Sequence, residues 1–428
     1  MKTLARDEFR APWLPFWIAL AVRIVYMTVA HTWRFPAIED HFSFGHEMGR
    51  IGHALATGYG YGDPFHGHTG PTAWLPPVYP LLIAASFKLF GVYSNLSAWV
   101  LLAINSLFSA LTVRTVWEIA RRSFSRSVAT WSTWIWAIYP AAMQYAVKWV
   151  WETALTAFLF SLVLVLALRM RGIGEERHES PTLGEWLGFG FVWAVIALTN
   201  PSLLLFLPIC GLWIVFGCPL RDWQSQAVKA VAAALIFIAC VAPWTYRNWK
   251  SLHAFVPLRS NFGVELYLGN GPGSDGLEMG FEHPYMDPGQ FALYRSMGEV
   301  PYSKMRGDKA KAYIGQHVGH FLHISLLRAY YFWAGLPRTT TRGVMKEYGP
   351  DINFDITTLL GLFGLALALR RRIPAAGLYA CAFAVLPLTY YAVTISARFR
   401  HPLEPLMAIF TVYLIQSAEK RWTIWPWR

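Results

Sequence analysis

The sequence predicts an all-α polytopic membrane protein, a bundle of about ten transmembrane helices with long outer loops that carry interfacial helices. Its 428 residues are 55% hydrophobic and only 14% charged, with a mean hydropathy of +0.34, whereas soluble domains are about a quarter charged. Several apolar windows are long enough to cross a hydrocarbon core as helices. The 21 Trp and 20 Tyr belong to residue types that favour membrane interfaces.

The distribution of charge indicates which partners to expect. The net charge is +12, but Lys and Arg occur in short clusters between apolar segments. Such clusters are typical of topology signals and lipid contacts rather than of a nucleic-acid surface. The four cysteines lie in or beside apolar segments without metal-ligand spacing, so we expect buried single thiols. Membrane lipids are therefore expected partners, and nucleic acid is not.

The first apolar segment, residues 12–30, sets the predicted orientation. Lys2, Arg6 and Arg10 precede it, and the positive-inside rule places such a cluster in the cytoplasm. No small-residue cleavage site follows, so we expect a retained helix, with residues 31–80 on the outer side. Arg23 lies inside this helix, where a charged residue usually faces a cavity or a partner.

The remaining spans and interfacial helices are assigned so that successive loops alternate between the two sides of the membrane. Residues 78–90 are few and follow two prolines, so we expect a helix in the outer interface, and residues 317–333 are interpreted in the same way. The stretch 249–312 is polar and has no helical periodicity, which predicts a second outer segment. Both termini are predicted to be cytoplasmic. The predicted spans are 12–30, 96–120, 128–145, 153–169, 186–199, 202–216, 227–243, 356–369, 375–395 and 406–415.

This order divides the chain into three parts. Residues 1–248 form an N-terminal transmembrane module with a catalytic first outer loop at 31–80. Residues 249–336 form a periplasmic segment with an interfacial helix, and residues 337–428 form a C-terminal transmembrane module. The loop 31–80 is long for a mere connector, and long structured loops usually carry function. We therefore interpret it as one wall of an active site at the membrane surface.

Acidic residues in this loop are the first catalytic candidates. Glu39 and Asp40 come just beyond the first span, and Glu47 follows seven positions after Asp40. A carboxylate at the membrane surface can act as general base for an acceptor nucleophile. Loop acids are also commonly solvated, and Glu47 can pair with helical neighbours instead. We favour Asp40 over Glu39 and Glu47.

Glu152 is the second candidate acid, beside Trp151 at the outer start of the span 153–169. An acid at a helix start can simply complement the helix dipole. An acid at the same depth as Asp40 also suits a two-carboxylate site, or one divalent cation held between two loops. The sequence requires no cofactor, and a divalent metal ion is the one candidate.

Histidine pairs offer an alternative metal site. His66 and His68, and the series His317, His320 and His323, have spacings that invite a metal interpretation. No HExxH or similar arrangement is present, and interfacial histidines are commonly just hydrogen-bonded, so we favour that interpretation.

Arginines predicted on the outer side are a further signal: Arg247, Arg259, Arg398 and Arg400. The positive-inside rule disfavours arginine there, so each needs a reason. Bidentate binding of a phosphate is one reason. Pairing with lipid headgroups or with Glu404 is a close competitor.

Soluble-enzyme signatures are missing. The sequence has no Walker A motif, no GxGxxG after a strand and no GxSxG. The predicted cytoplasmic loops are too short for a nucleotide-binding domain. An activated donor would therefore come from the membrane itself.

Several short motifs, each weak alone, occur in a characteristic order on the predicted outer face. They are Glu39-Asp40, ALATGYG at 54–60, PPVYPLL at 76–82 with FKLFG at 87–91, Glu152, PWTYRN at 243–248, and RFRHPLEP at 398–405. This order resembles the GT-C superfamily of integral-membrane glycosyltransferases. The resemblance is to the bacterial protein-mannosyltransferase-like and aminoarabinose-transferase-like branch, and it covers most of the chain.

The resemblance implies a polyprenyl-phosphate sugar donor and a lipid, glycan or protein acceptor reached from the periplasmic side of a bacterial inner membrane. It assigns the base to Asp40, the second acid to Glu152, and the donor phosphate to Arg400 and Arg398. Related chains often carry the first-loop acid nearer Ser43. The choice among the three loop acids therefore stays open.

Other predicted site residues complete the set. We expect Arg247 and Arg259 to assist in binding the phosphate, and Glu47, Tyr79, Trp151 and Asn270 to contact substrate. Two other functions remain open. A flippase of lipid-linked sugars would use similar interfacial charges, but no inverted repeat is seen. An envelope-polysaccharide ligase or polymerase would share the arginine-rich face and could use histidine in place of a carboxylate.

Overall fold

The structure is a computed structural model that describes residues 2–36, 42–175, 180–277, 282–335 and 344–422. Throughout these ranges the regular secondary structure is helical, apart from one isolated bridge between Gly62 and Pro71. The predicted all-α class is therefore confirmed.

The N-terminal part contains seven α-helices. Between α1 and α2 a short 3₁₀ turn covers Phe42–Phe44, and the residues just before it are not described. The helices are α1 (Lys2–Val29), α2 (Glu47–Ala56), α3 (Val78–Phe90), α4 (Asn95–Ser123), α5 (Arg126–Ile138), α6 (Pro140–Val147) and α7 (Thr153–Met170).

A single continuous helix over the predicted span 128–145 is wrong, because the chain is broken into α5 and α6. Pro140 is the first residue of α6, and Tyr139 before it has φ −62° and ψ 122°. A proline clashes with a helical conformation of the preceding residue, which ends α5 at Ile138.

The middle of the chain contains three more helices. They are α8 (Leu183–Ala197), α9 (Leu207–Val215), which follows a 3₁₀ helix at Pro201–Phe206, and α10 (Trp223–Leu252). Helices α8 and α10 pack closely at Gly190. A Cβ atom added to this residue would lie only 2.2 Å from the carbonyl oxygen of Ala233. Small residues commonly permit such close approach between membrane helices.

The second outer segment contains helices, although its sequence shows no helical periodicity. It forms α11 (Phe262–Asn270), α12 (Pro288–Met297) and α13 (Glu299–Gln316). The buried face of α13 includes Glu299, Ser303 and Arg306. Because polar groups occupy this face, the apolar spacing that signals a helix is missing from the sequence.

Glu299 fastens this segment to the first outer loop. Its carboxylate is 5% exposed and accepts hydrogen bonds from Ser260 Oγ at 2.6 Å, from the Ala73 amide at 2.7 Å and from the Thr72 hydroxyl. Tyr294 Oη donates to it at 3.1 Å. These contacts join the second outer segment to residues 72–73 of the first outer loop.

Five α-helices lie in the described residues of the C-terminal part. They are α14 (Val318–Ala334), α15 (Val344–Arg370), α16 (Ala376–Val385), α17 (Leu388–Ala392) and α18 (Glu404–Trp422). The predicted span 375–395 is interrupted after Val385, so a single continuous helix there is wrong. Between α17 and α18 the chain forms a 3₁₀ helix at Ala397–Leu403.

Four helical segments are long and apolar enough to cross a membrane, by length and composition within the described ranges. They are Pro12–Val29, Asn95–Ser123, Thr153–Met170 and Leu220–Leu252, and shorter apolar helices accompany them. Helix α3 has 13 residues, or about 20 Å of helix, which is too short for a hydrocarbon core of about 30 Å. Its interfacial position stays a prediction, as do the exact number of spans and the three-part division.

Arg23 in α1 lies at the centre of the N-terminal bundle with 0% exposure. It donates to Ser109 Oγ in α4 at 3.1 Å and to the carbonyl oxygen of Ala137 in α5 at 2.7 Å. The expectation that this arginine has a partner inside the bundle is confirmed.

Candidate functional site

A cavity of about 1410 Å³ opens between the helix bundle and the outer segments. Its wall combines the start of α2, the α6–α7 junction, the segment before α11 and the stretch between α17 and α18. Most of the lining is apolar or aromatic, and a few charged groups converge on it. A concave, mostly apolar site with a few polar groups is the usual form of a ligand pocket.

The first outer loop contributes Glu47 to this wall. Glu39 and Asp40 lie outside the described residues, so their predicted roles stay predictions. The chain that follows them is fixed at Ser43, whose carbonyl oxygen accepts a hydrogen bond from the Val150 amide at 2.7 Å. The segment that carries Glu152 therefore lies directly against the first outer loop.

Glu152 and Trp151 line the cavity, as predicted for substrate-facing residues. The Oε2 atom of Glu152 is buried and has no hydrogen-bond partner in the described parts of the chain. A buried acceptor without a donor costs about 1–3 kcal/mol, so this atom is well suited to a ligand donor.

Tyr79 does not line the cavity but supports it. Its side chain is 1% exposed, and its hydroxyl donates to Asn105 Oδ1 at 2.9 Å. Asn105 in turn donates to the carbonyl oxygens of Trp149 and Trp151 at 3.2 and 3.3 Å. The geometry thus gives Tyr79 a positioning role rather than substrate contact.

Arg398 lines the cavity with its guanidinium over the ring of Trp151, 3.6 Å from the ring centroid. Its Nε and Nη1 atoms are buried and lack hydrogen-bond partners among the described residues. Two buried, directed N–H donors are suited to bidentate contact with an anion such as a phosphate.

Arg400 points elsewhere. It is 0% exposed, pairs with Glu404 at 3.2 Å, and donates to Thr358 Oγ1 at 2.5 Å. His401 contacts the other oxygen of Glu404 at 2.5 Å. The competing interpretation, pairing with Glu404, is the one that the geometry favours for Arg400.

The other two predicted arginines also differ from each other. Arg259 lines the cavity and donates through Nε to Asn261 Oδ1 at 2.6 Å. Arg247 instead donates to the carbonyl oxygens of Thr72 and Tyr61, and it is not part of the cavity wall. Arg247 therefore holds the first outer loop in place.

Asn270, predicted to contact substrate, is buried in the fold. It is 1% exposed, its Nδ2 donates to the carbonyl oxygen of Ala392 at 2.9 Å, and its Oδ1 accepts from Arg328 at 3.0 Å. Its place is between α11 and α17, outside the cavity wall.

Two cavity residues were missed by the sequence reasoning, Glu265 and His283. Burial, then the charge of Glu265, raise the pKa of Glu47 to about 7. Burial also raises the pKa of Glu265. An acid among the apolar residues of α11 was the available signal for Glu265, whereas nothing in the local sequence distinguishes His283.

A complete metal site is not seen in the described part of the chain, where no three His, Cys, Asp or Glu side chains cluster. His68, one of the predicted metal candidates, contacts Asp63 at 2.9 Å. Since Glu39 and Asp40 lie outside the described ranges, the cation between the two loops stays a prediction.

A protein-family model matches part of the chain. The family model described as dolichyl-phosphate-mannose-protein mannosyltransferase matches residues 75–246. This segment contains the PPVYPLL motif, Glu152 and the first four residues of the PWTYRN motif. A sequence comparison with curated proteins gave no match.

Solved structures resemble the whole fold. The apo oligosaccharyltransferase of Archaeoglobus fulgidus has a TM-score of 0.57 at 12% identity, over 96% of this chain and 51% of that one. Its complex with Zn and sulfate gives a TM-score of 0.51 at 13% identity, over 96% and 49%. Apo ArnT of Cupriavidus metallidurans is 16% identical over 91% of this chain and 77% of that one, with a TM-score of 0.36.

The chain thus spans about half the length of the oligosaccharyltransferase it matches. The predicted bundle is confirmed as the GT-C fold of membrane glycosyltransferases. The chain is an integral membrane protein with this fold, the fold that the order of its motifs predicted.

Proposed function

We propose that the protein transfers a sugar from a polyprenyl-phosphate donor to an acceptor on the outer, periplasmic face of a bacterial inner membrane. The observation that carries this proposal is Arg398, which lines a large apolar cavity together with Glu152 and has two buried guanidinium nitrogens without hydrogen-bond partners among the described residues. A lipid phosphate combines the negative charge and the apolar chain that such a cavity suits.

The donor phosphate would lie between Arg398 and Arg259. Both arginines line the cavity, and neither forms a direct ion pair with a described carboxylate. Positive charge at this position stabilises the phosphate as it leaves the sugar. Arg400, held by Glu404, would instead fix the 3₁₀ helix that presents Arg398.

The prenyl chain would follow the apolar wall formed by Leu204, Leu205 and Pro208 at the start of α9 and by Tyr390 of α17. Contacts of this type bind hydrocarbon in proportion to the apolar area removed from water.

The acceptor would be activated by a carboxylate of the first outer loop, and we assign this role to Asp40. Support comes from Ser43, three residues later in the chain, which contacts the segment of Glu152. The carboxylate takes the proton of an acceptor hydroxyl or amine as its oxygen or nitrogen attacks the anomeric carbon. The bond between that carbon and the phosphate oxygen breaks, and polyprenyl phosphate leaves with the electron pair, which inverts the anomeric centre.

Relatives provide support for the ligand classes. The oligosaccharyltransferase of Archaeoglobus fulgidus has been solved with an inhibitory peptide and a dolichol-phosphate, and with a tethered acceptor peptide. A lipid phosphate on the donor side and a lipid, glycan or protein acceptor are therefore reasonable for the present site. The same relative was also solved with Zn, but Glu47, Glu152 and Glu265 do not make a metal cluster here.

The experiment is a donor-turnover assay on the purified protein in lipid nanodiscs, with radiolabelled polyprenyl-phosphate sugars. We expect wild type to release polyprenyl phosphate from at least one donor and Asp40→Asn to lose this activity at equal expression. Asp308→Asn, an exposed acid on α13, is the matched control. Full activity of Asp40→Asn would exclude Asp40 as the base.

Binding without turnover of any donor would point instead to a flippase. Turnover of a pyrophosphate-linked glycan alone would point to a ligase or polymerase, and sensitivity to His→Ala rather than Asp40→Asn would support that result.

A further inference from the structure

The cavity wall has a polar patch formed by Glu47, Glu265 and His283. The sugar transfer proposed above assigns no role to these three side chains. We propose that these three side chains are the subsite that recognises hydroxyl groups of the transferred sugar and that selects a sugar without negative charge. This inference rests on the proposed function and adds the substrate class to it.

His283 supplies a donor to this patch. The ring is 3% exposed, and its Nδ1 accepts a hydrogen bond from the Tyr285 amide at 3.1 Å. Burial lowers the pKa of His283 to about 4, so the ring is neutral near pH 7 and its one proton is on Nε2. That Nε2–H is buried and has no hydrogen-bond partner among the described side chains and backbone.

The distance to Glu47 identifies what can satisfy this donor. Nε2 of His283 lies 3.7 Å from Oε1 of Glu47, beyond the about 3.2 Å limit of a good N–H···O hydrogen bond. A hydroxyl group both accepts and donates. One sugar hydroxyl can therefore accept from His283 and donate to Glu47, which satisfies both groups at once.

Glu265 links this patch to the phosphate site. Its Oε1 accepts from Asn261 Nδ2 at 3.0 Å, and Asn261 Oδ1 accepts from Arg259 Nε at 2.6 Å. The side-chain amide of Asn261 thus connects Arg259, the arginine proposed to bind phosphate, to Glu265. The carboxylate of Glu265 can accept a hydrogen bond from a second sugar hydroxyl.

The two carboxylates also predict charge selection. Above pH 7, where Glu47 is ionised, a sugar that carries its own carboxylate would be placed beside that negative charge in a site of low dielectric, where like charges repel. A neutral sugar meets no such repulsion. The chemical class is therefore a hydroxyl-bearing, uncharged sugar rather than a uronic acid.

The test measures equilibrium binding to the full-length protein in nanodiscs. The probes are undecaprenyl phosphate, its glucose, galactose and mannose conjugates, and its glucuronic acid conjugate. We expect at least one neutral conjugate to bind wild type more tightly than undecaprenyl phosphate does, and the glucuronic acid conjugate to bind more weakly than that neutral one.

Variants of the polar patch test whether it causes the preference for a neutral sugar conjugate. His283→Ala and Glu47→Gln should weaken the preferred neutral conjugate by about 10-fold, as expected for loss of a hydrogen bond to a buried partner. Undecaprenyl phosphate itself should bind unchanged. Glu265→Gln should improve the glucuronic acid conjugate relative to the neutral one. His320→Ala, an exposed histidine on α14, is the control and should change nothing.

Each of the other possible outcomes would contradict a particular part of the proposal. If wild type does not bind undecaprenyl phosphate, the proposed function and this inference both fail. If it binds undecaprenyl phosphate but prefers no neutral conjugate, only the sugar subsite fails. Equal weakening of all probes by His283→Ala and Glu47→Gln would show a structural role and also overturn the subsite.

Discussion

The Val150 amide donates a hydrogen bond of 2.7 Å to the carbonyl oxygen of Ser43. This bond joins two segments more than 100 residues apart in the chain. One follows Glu39 and Asp40, and the other carries Trp151 and Glu152 into the cavity. A backbone contact therefore holds the segment that carries Glu152 against the chain at Ser43.

Gly45 makes this contact possible, and its substitution is the first prediction. Gly45 has φ +80°, and a Cβ atom there would lie 2.7 Å from the carbonyl oxygen of Val150. We expect Gly45→Ala to separate the two segments and to lower donor turnover by at least about 10-fold, since small misplacements of catalytic groups have large effects.

Gly58→Ala is the matched control for this change. Gly58 also has a positive φ, +92°, but a Cβ atom there meets nothing within 4 Å. Both variants carry the backbone strain of a left-handed alanine, about 1 kcal/mol. Equal turnover of the two variants would show that the contact with Val150 is not needed for activity.

The second prediction separates Arg398 from Arg400. Arg398→Gln should weaken binding of undecaprenyl phosphate by about 10- to 100-fold with little change in thermal stability, because it removes a charged donor that faces the cavity. Arg400→Gln should lower stability by about 3–5 kcal/mol, since it removes the arginine that pairs with the buried Glu404 and leaves that carboxylate only its contact with His401.

Thermal unfolding in detergent and binding in nanodiscs together check this pair. The reverse pattern, in which Arg400→Gln weakens binding in a stable protein, would return the phosphate role to Arg400, as the sequence resemblance implied.

Arg398 and Arg400 show which features of the protein the sequence could predict and which it could not. Composition and span length predicted the helical membrane fold, and the motif order predicted its GT-C type. The choice between Arg398 and Arg400 could not be made, because residues two apart in a 3₁₀ helix of three residues per turn lie on different faces. Only the path of the chain around Glu404 decides which one faces the cavity.

The missed residues have a different physical cause. His283 acquires its role from burial and from the Tyr285 amide that fixes its proton on Nε2. Glu265 acquires its role from Glu47, more than 200 positions away. Long-range contacts of this kind leave no periodic or local pattern in the sequence. The motifs near the first spans were visible because they are short and contiguous.

The third prediction concerns the packing of α8 on α10. Gly190→Ala places a methyl group 2.2 Å from the carbonyl oxygen of Ala233, so one helix must shift. We expect the thermal midpoint in detergent to fall, at a cost of about 1–3 kcal/mol for overpacking. Gly188→Ala, on the same helix with nothing within 4 Å, should leave the midpoint unchanged or raise it. A Gly190→Ala variant as stable as Gly188→Ala would mean that α10 is not seated on α8 at this point.

The fourth prediction is a pH dependence that comes from Glu47. Burial, then Glu265, raise the pKa of Glu47 from 4.5 in the unfolded chain to about 7 in the fold. The folded protein therefore holds a proton that the unfolded chain releases. The stability contributed by this group is complete below about pH 4.5 and is lost as the pH rises through 7, by about 3 kcal/mol in all.

Glu47→Gln tests this directly, because glutamine resembles the protonated acid at every pH. The thermal midpoint of the variant should equal that of wild type near pH 4.5 and exceed it increasingly up to pH 8. Asp308→Asn, at an exposed acid, should show a difference from wild type that does not grow over this range. A constant difference between Glu47→Gln and wild type from pH 4.5 to 8 would show that Glu47 titrates as an ordinary exposed acid, and that the cavity wall around it is open to water.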